Sequence, residues 1–356
     1  MWPAGCAEIN KSKMATGEDE RTVLESLFYD RYEYKEMVEM LKIQYDGPGC
    51  SQGHRSVWHT LQQRGVRVPR REVQKIIREL DPEGVDERKA HRLRRREYIC
   101  PGPNKVWHSD GYDKLKPFGF PVHGCIDGFS RKVMWLYVTR SNNLPDNIGA
   151  YYLDAVREQG GCPRQLCTDL GTENGLMAGT HCFFMNDPDS HKYVPSPRNQ
   201  RIEGWWSFFR KHWASWWINL FKDMCDSGVL NMEDPLQSEC LWFCFAGILQ
   251  AGLDEVKNSW NTHYIRKSRF DTVAGRPNSL YFIPEFHGGI SNLIVPVSSA
   301  DMDYAYNHLI DHSNQVTNYS EYCQYVMNGL GLGTPQGWRE AYNLYKTITH
   351  IAIHGN

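Results

Sequence analysis

Short β-prone runs bounded by turn residues alternate, through the middle of this chain, with longer stretches of helical period. Val106-Trp107-His108-Ser109-Asp110 follows the loop Pro101-Gly102-Pro103-Asn104 and predicts an opening strand. Val122 to Asp127 and Val133 to Val138 predict a second and third strand, joined by a hairpin turn at Gly128-Phe129-Ser130-Arg131. Pro145 to Gln159, with Ile148, Tyr152, Leu153 and Val156 on one stripe, predicts a crossover helix. Gln165-Leu166-Cys167-Thr168-Asp169 is a further strand, cut off by Gly171. The stretch Trp205 to Met224 is helical. At 100° per residue, Ser207, Arg210 and Ala214 fall within roughly 40° of Glu203, and Trp205, Phe209, Trp216 and Leu220 on the opposite, buried side. Strand, strand, strand, helix, strand, helix, strand, helix is the order of a sheet that mixes antiparallel and parallel pairing.

On either side of this α/β core the pattern is helical. Residues 1–20 predict a disordered lead whose end, Thr16-Gly17-Glu18-Asp19-Glu20, is an acidic start signal for a helix over about 21–45 that stops at Asp46-Gly47-Pro48-Gly49. Two short amphipathic helices follow, over 53–65 and 70–80, with a turn at Gly65 and a restart at Pro69. Trp58, Leu61, Val66, Val68, Val73, Ile76 and Ile77 would form their core, which leaves Arg70, Arg71, Gln74, Lys75 and Arg78 for a helix-turn-helix contact with DNA. Beyond Met224 helices are expected at Glu239 to Trp260, Ala300 to His312 and Trp338 to Ile353, with turn chemistry at Thr272 to Pro284. The expected domains are thus 1–20, a DNA-binding region 21–97, a core 98–224 and an α-helical extension 225–356.

The formal net charge of −2 over 356 residues conceals an asymmetry: Gly53 to Cys100 carries +6 and Lys222 to Asn356 carries −6. Polyanion binding is therefore expected early in the chain. Six of the nine residues Arg88 to Arg96 are basic; Arg92, Arg94, Arg95 and Arg96 would track phosphates, and such a run also serves nuclear import. No apolar run approaches a membrane span, so no membrane partner is expected. Eleven scattered cysteines, without repeated spacing, point to a reducing compartment rather than a disulfide framework.

Three acids stand where chemistry can be built: Asp110 and Asp169 at strand ends and Glu203 at a helix start. Carboxylate oxygens are the hard ligands that Mg²⁺ or Mn²⁺ prefers, and two such ions about 3.5–4 Å apart would support an in-line phosphoryl displacement. Asp127 and Glu173 compete for the role, but Asp127 reads as turn chemistry and Glu173 as a first-turn helix acid beside Thr172. No zinc is expected: His54 and His59 have a half-site spacing, but no Cys-x2-Cys exists and Cys240 and Cys244 lie in an apolar run.

The strings WHSDGYDKLKPFGFPVHGCIDGFSRKVMWLYV, CTDLGTEN and PRNQRIEGWW resemble the catalytic core of retroviral-type integrases and DDE transposases, in particular an integrase-core family of transposon-derived eukaryotic proteins. The resemblance covers about residues 50–280. It implies an α/β, RNase H-like fold with a mixed five-stranded sheet and flanking helices, preceded by a helix-turn-helix and followed by an α-helical extension. It places Asp110, Asp169 and Glu203 at the positions of the catalytic, metal-binding acids, with Arg210 near the DNA end. The implied activity is a nuclear, Mg²⁺-dependent DNA strand transferase acting on double-stranded element ends and target as a homo-oligomer. The contrasting expectation is a domesticated, catalytically idle DNA-binding or scaffold protein that has kept the fold.

Overall fold

In the computed structural model, residues 53–63, 68–80, 82, 98–195, 199–267, 273–309 and 317–354 are described. The expected lead 1–20, the helix over 21–45, Val66 and the basic run with Arg92, Arg94, Arg95 and Arg96 lie outside them. The chain divides into two compact units after Arg94.

The first unit holds helices α1 (His54–Gln63) and α2 (Arg70–Leu80). Val57 and Leu61, one turn apart, pack against Val73, Ile76 and Ile77, with Val68 and half-buried Trp58 completing the cluster. The Trp58 indole N–H donates to the Val68 carbonyl at 2.9 Å, tying the residues just before α2 to α1. Arg70, Arg71, Lys75 and Arg78 lie on the polar side of α2, away from this cluster.

The second unit runs through β1 (Trp107–Tyr112), β2 (Val122–Asp127), β3 (Val133–Val138), α3 (Pro145–Gln159), β4 (Gly161–Cys162), β5 (Leu166–Thr168), α4 (Gly175–Met185), β6 (His191–Tyr193), α5 (Gln200–Phe209) and α6 (Ser215–Asp226). There follow α7 (Pro235–Thr262), α8 (Pro277–Phe282), β7 (Val295–Pro296), α9 (Ser299–Asn307), α10 (Asn318–Gly329) and α11 (Trp338–His354). The main sheet has the order β3-β2-β1-β5-β6, antiparallel from β3 to β1 and parallel from β1 to β6. Helices cover both faces, which is the RNase H-like arrangement. Trp107, Cys125 and Trp135 pack on α3, Met177 and Tyr281, and Tyr112, Val122, Ile126 and Leu136 pack on α5, α6 and α7. The period of two is broken once, by a bulge at Cys125/Ile126, which restores Val133 to the side of Leu136.

The extension is built onto the core rather than beside it. Helix α7 lies along the outer strand β3: Asn261 accepts from the Val133 N–H at 2.8 Å and donates to its carbonyl at 3.0 Å. Gln250 does the same further along the strand, accepting from Val138 at 3.0 Å and donating to the Leu136 carbonyl at 3.1 Å. Two amide side chains thus satisfy an edge that would otherwise present open backbone groups. Helix α10, which the sequence pattern does not announce, and α11 close the same core through Cys323, Met327, Leu344 and Ile348.

After Arg210 the helix departs from the phase that the sequence implies. Between α5 and α6 the chain makes a π-turn over Arg210–Ala214. The extra residue rotates everything after it, so the buried stripe continues through Trp213, Trp217, Phe221 and Met224, while Trp216 and Leu220 are only half buried. Ala214, expected on the side of Glu203, is fully buried for the same reason.

Candidate active site

Alternation along β1 decides which groups meet. Trp107 goes into one core and His108, Asp110 and Tyr112 face the other way, toward α5. Asp110 lies opposite Gly124 of β2, where a Cβ would stand 3.0 Å from the Trp206 ring. The missing side chain lets Trp206 lie over the strand, and its indole Nε1–H donates to Asp110 Oδ2 at 2.9 Å. Asp110 is 7% exposed, and its pKa is pushed up to about 7 by burial first and then by the charges of Asp169 and Glu203, against the Trp206 and Gly111 N–H bonds. Asp110, Asp169 and Glu203 therefore share one electrostatic neighbourhood, although 58 and 33 residues intervene along the chain.

Asp169 follows β5 directly, and β5 pairs with β1 in parallel, with His108 opposite Cys167. Its Oδ1 accepts from Asn174 Nδ2 at 2.9 Å, while Thr168 Oγ1 donates to its carbonyl at 3.0 Å. Glu203 sits in the first turn of α5, where the N-terminal end of the helix dipole favours a carboxylate.

The start of α5 is fastened to β1 by Asn199, which is fully buried. Asn199 Nδ2 donates to the Ser109 carbonyl at 3.0 Å, so its Oδ1 faces His108 Nδ1 at 2.7 Å and must accept from it. With Nδ1 protonated and the ring kept neutral by burial, its pKa down to about 4, His108 Nε2 accepts from the Tyr98 hydroxyl at 2.7 Å. The Arg201 guanidinium covers the Tyr98 ring at 4.0 Å. A chain of one-way hydrogen bonds thus sets the helix bearing Glu203 against the strand bearing Asp110.

Arg210 is exposed in the π-turn, and its charge is felt by the Tyr112 phenol, two residues along β1 from Asp110. The Tyr112 hydroxyl is buried without a hydrogen-bond partner, and burial pushes its pKa up to about 12. Asp127 is enclosed in the hairpin it closes, accepting from the N–H groups of Asn104, Phe129 and Ser130 and from the Ser130 hydroxyl. Glu173 accepts from Asn174 Nδ2 at 3.3 Å beside Asp169. Trp206, Asn174 and Asn199 carry no signal in residue type alone; only the register of β1 and β2 and the phase of α5 bring them to the acids.

The donor set around Asp110 is all carboxylate oxygen, and its like charges would be relieved by a divalent cation. Among the described residues no three His, Cys, Asp or Glu side chains stand close enough to hold an ion as placed, so joint ligation requires the three acids to draw closer than they stand. The nine described cysteines are free thiols, and no helix of the described residues is long and apolar enough to cross a membrane.

No curated protein matches this chain. Among solved structures, a chain of the cryo-EM structure of the simian T-cell lymphotropic virus intasome in complex with PP2A regulatory subunit B56 gamma is similar at 15% identity and a TM-score of 0.34, over 68% of this chain and 73% of that one. Residues 97–284, more than half of the sequence, match the family model described as the integrase core domain. They take in Asp110, Asp169, Glu203 and the whole five-stranded sheet, and the chain belongs to the integrase core domain family.

Proposed function

We propose that this protein is a polynucleotidyl transferase that cuts and joins double-stranded DNA ends, with Asp110, Asp169 and Glu203 as its catalytic, metal-holding acids. The observation that carries the reading is the buried Asp110, whose ionisation is opposed by the other two carboxylates. A site that assembles repelling charges at some cost to stability is the setting in which divalent cations and catalytic acids are found. Mg²⁺ or Mn²⁺, two ions when bound, would activate the attacking hydroxyl and neutralise the leaving oxygen.

The residues supply the rest. Trp206 and the Gly111 N–H hold the Asp110 carboxylate in place. Asn174 fixes the Asp169 carboxylate, and the Tyr98–His108–Asn199 chain fixes the helix of Glu203. Arg210, near Tyr112, and Arg70, Arg71 and Lys75 of α2 are assigned to DNA phosphates, as are Arg92, Arg94, Arg95 and Arg96. The active species is read as a homo-oligomer, and the site of action as the nucleus. Incubation with Mn²⁺ and duplex ends of the flanking element should give joined products, and Asp169→Asn should give none while binding DNA normally. A DNA-binding scaffold with an idle centre is favoured by one observation, that among the described residues the three acids are not gathered to ligating distance. Binding without any joining by the wild type would decide for it.

A further inference from the structure

The residue next to Asp169 has no place in the site just described. Leu170 is 79% exposed, although it adjoins a group assigned to the reaction centre. Exposed leucines are common and ordinarily carry no meaning. This one is held out by a loop tied down at several points. Asn174 Nδ2 donates to Asp169 Oδ1 at 2.9 Å and to Glu173 Oε1 at 3.3 Å, and the Asn174 backbone N–H donates to the Gly171 carbonyl at 3.2 Å. Gly171 gives the chain room to fold the Glu173 carboxylate over it. The same amide that fixes the Asp169 carboxylate therefore fixes the loop on which Leu170 stands.

A cation stands on the face of the sheet that carries Asp110 and Asp169. His108, Cys167 and Lys192 form one row across β1, β5 and β6, and alternation puts Asp110 on that face, two residues further along β1, and, continued just past the end of β5, Asp169 too. Lys192 is exposed on β6, the last strand of the sheet, and its charge reaches the Cys167 thiol. An apolar side chain on the fixed loop directly after Asp169 and an ammonium group at the sheet edge are thus both presented to solvent. Paired bases hide their faces from such a side chain, and proteins open a base step by inserting an apolar wedge into it.

Resting on the polynucleotidyl-transferase reading, we propose that Leu170 is a wedge that enters the base stack of duplex DNA beside the phosphate under attack, while Lys192 holds the backbone phosphate of the displaced nucleotide. The wedge must be apolar and preset, because a flexible or hydrated side chain would not displace a stacked base. Opening the step exposes the phosphodiester to the acids from the side of β5.

The test uses the full chain and two short duplexes, one fully paired and one with mismatches at the two base pairs nearest the cut. Each carries 2-aminopurine as a probe of stacking. With the wild type in Ca²⁺ the paired duplex should brighten, and with Leu170→Ala it should not. In Mn²⁺, Leu170→Ala should cut the paired duplex about tenfold more slowly and regain wild-type rate on the mismatched one. Lys192→Ala should weaken binding to both duplexes alike and flatten the salt dependence, as loss of a phosphate contact does. Equal loss by Leu170→Ala on both duplexes, or unchanged brightening, would overturn the wedge. If the wild type cuts neither duplex, the transferase reading fails, and the fluorescence arm still decides whether Leu170 opens the stack.

Discussion

Asp127 and Asp110 are buried aspartates on neighbouring strands of one sheet, and they are kept for opposite reasons. Asp127 ends β2 in a hairpin where three backbone N–H groups and a hydroxyl donate to it, at 2.7 to 3.2 Å. Four donors offset much of the cost of burial, although burial still raises its pKa, and the group ties the turn to Asn104 at the entrance to β1. Asp110 sits mid-strand with an indole N–H and the Gly111 N–H, and it faces two further acids. One aspartate is saturated with donors and has no coordination left to offer. The other is under-satisfied and repelled, a setting that suits the metal-holding role proposed for it. The difference teaches that burial of an acid says little about its task until its donors and neighbours are named.

The largest consequence concerns activity. Asp110→Asn keeps the size of the side chain and removes the charge, so it should reduce DNA joining by roughly a thousandfold or more with no loss of thermal stability. Asp127→Asn is expected to do the reverse. Replacing an acceptor oxygen by an amide among donors should cost about 2–4 kcal/mol in denaturant unfolding, while material that remains folded still joins DNA. An Asp127→Asn protein that is as stable as the wild type would erase the contrast.

A pH series isolates Asp110, because Asp127, also raised by burial, is common to the wild type and Asp110→Asn. In metal-free protein, Asp110 ionises near pH 7 when folded against 3.8 ordinarily, so below about pH 4 it is neutral in both states and carries no penalty. As pH rises from about 4 to 7 the unfolded state loses its proton first, and the fold is destabilised, by at most about 4 kcal/mol for a shift of this size. Asp110→Asn should therefore be more stable than the wild type above pH 7 and equal to it below pH 4. The buried neutral histidines His108, His123 and His181 act oppositely, destabilising the fold as pH falls below 6.5, but they are common to both proteins and cancel in the difference. Smallest of all, Trp206→Phe removes one hydrogen bond to Asp110, at a cost of about 1 kcal/mol, and should weaken Mn²⁺ binding by several-fold while leaving the aromatic core filled.

Much of this is legible in the sequence, and where it is not the causes are physical. The hairpin at Gly128 to Arg131, the strand of Asp110 and the helix of Glu203 follow from turn chemistry and period, which are local. So does the small core of α1 and α2, where Leu61, Val68, Val73, Ile76 and Ile77 pack as their spacing implies. The phase after Arg210 is not legible, because a π-turn adds a residue without a distinctive composition, and an uninterrupted 100° count puts Ala214, Trp216 and Leu220 on the wrong sides. Trp206 reads as core by its type, and it is core, yet one edge of its indole serves Asp110. The capping of the sheet edge is equally hidden: nothing local tells that Gln250 and Asn261 of α7 reach across more than a hundred residues to close β3.

The central requirement is that the three acids act as one cation site. Crystals soaked in Mn²⁺ and measured at the manganese absorption edge test this most directly. Anomalous density is expected between Asp110, Asp169 and Glu203, with carboxylate oxygens at about 2.1–2.2 Å, close to the Mg²⁺ distance, and it should vanish in Asp169→Asn. Manganese bound elsewhere, or by Asp110 without Asp169 and Glu203, would contradict it.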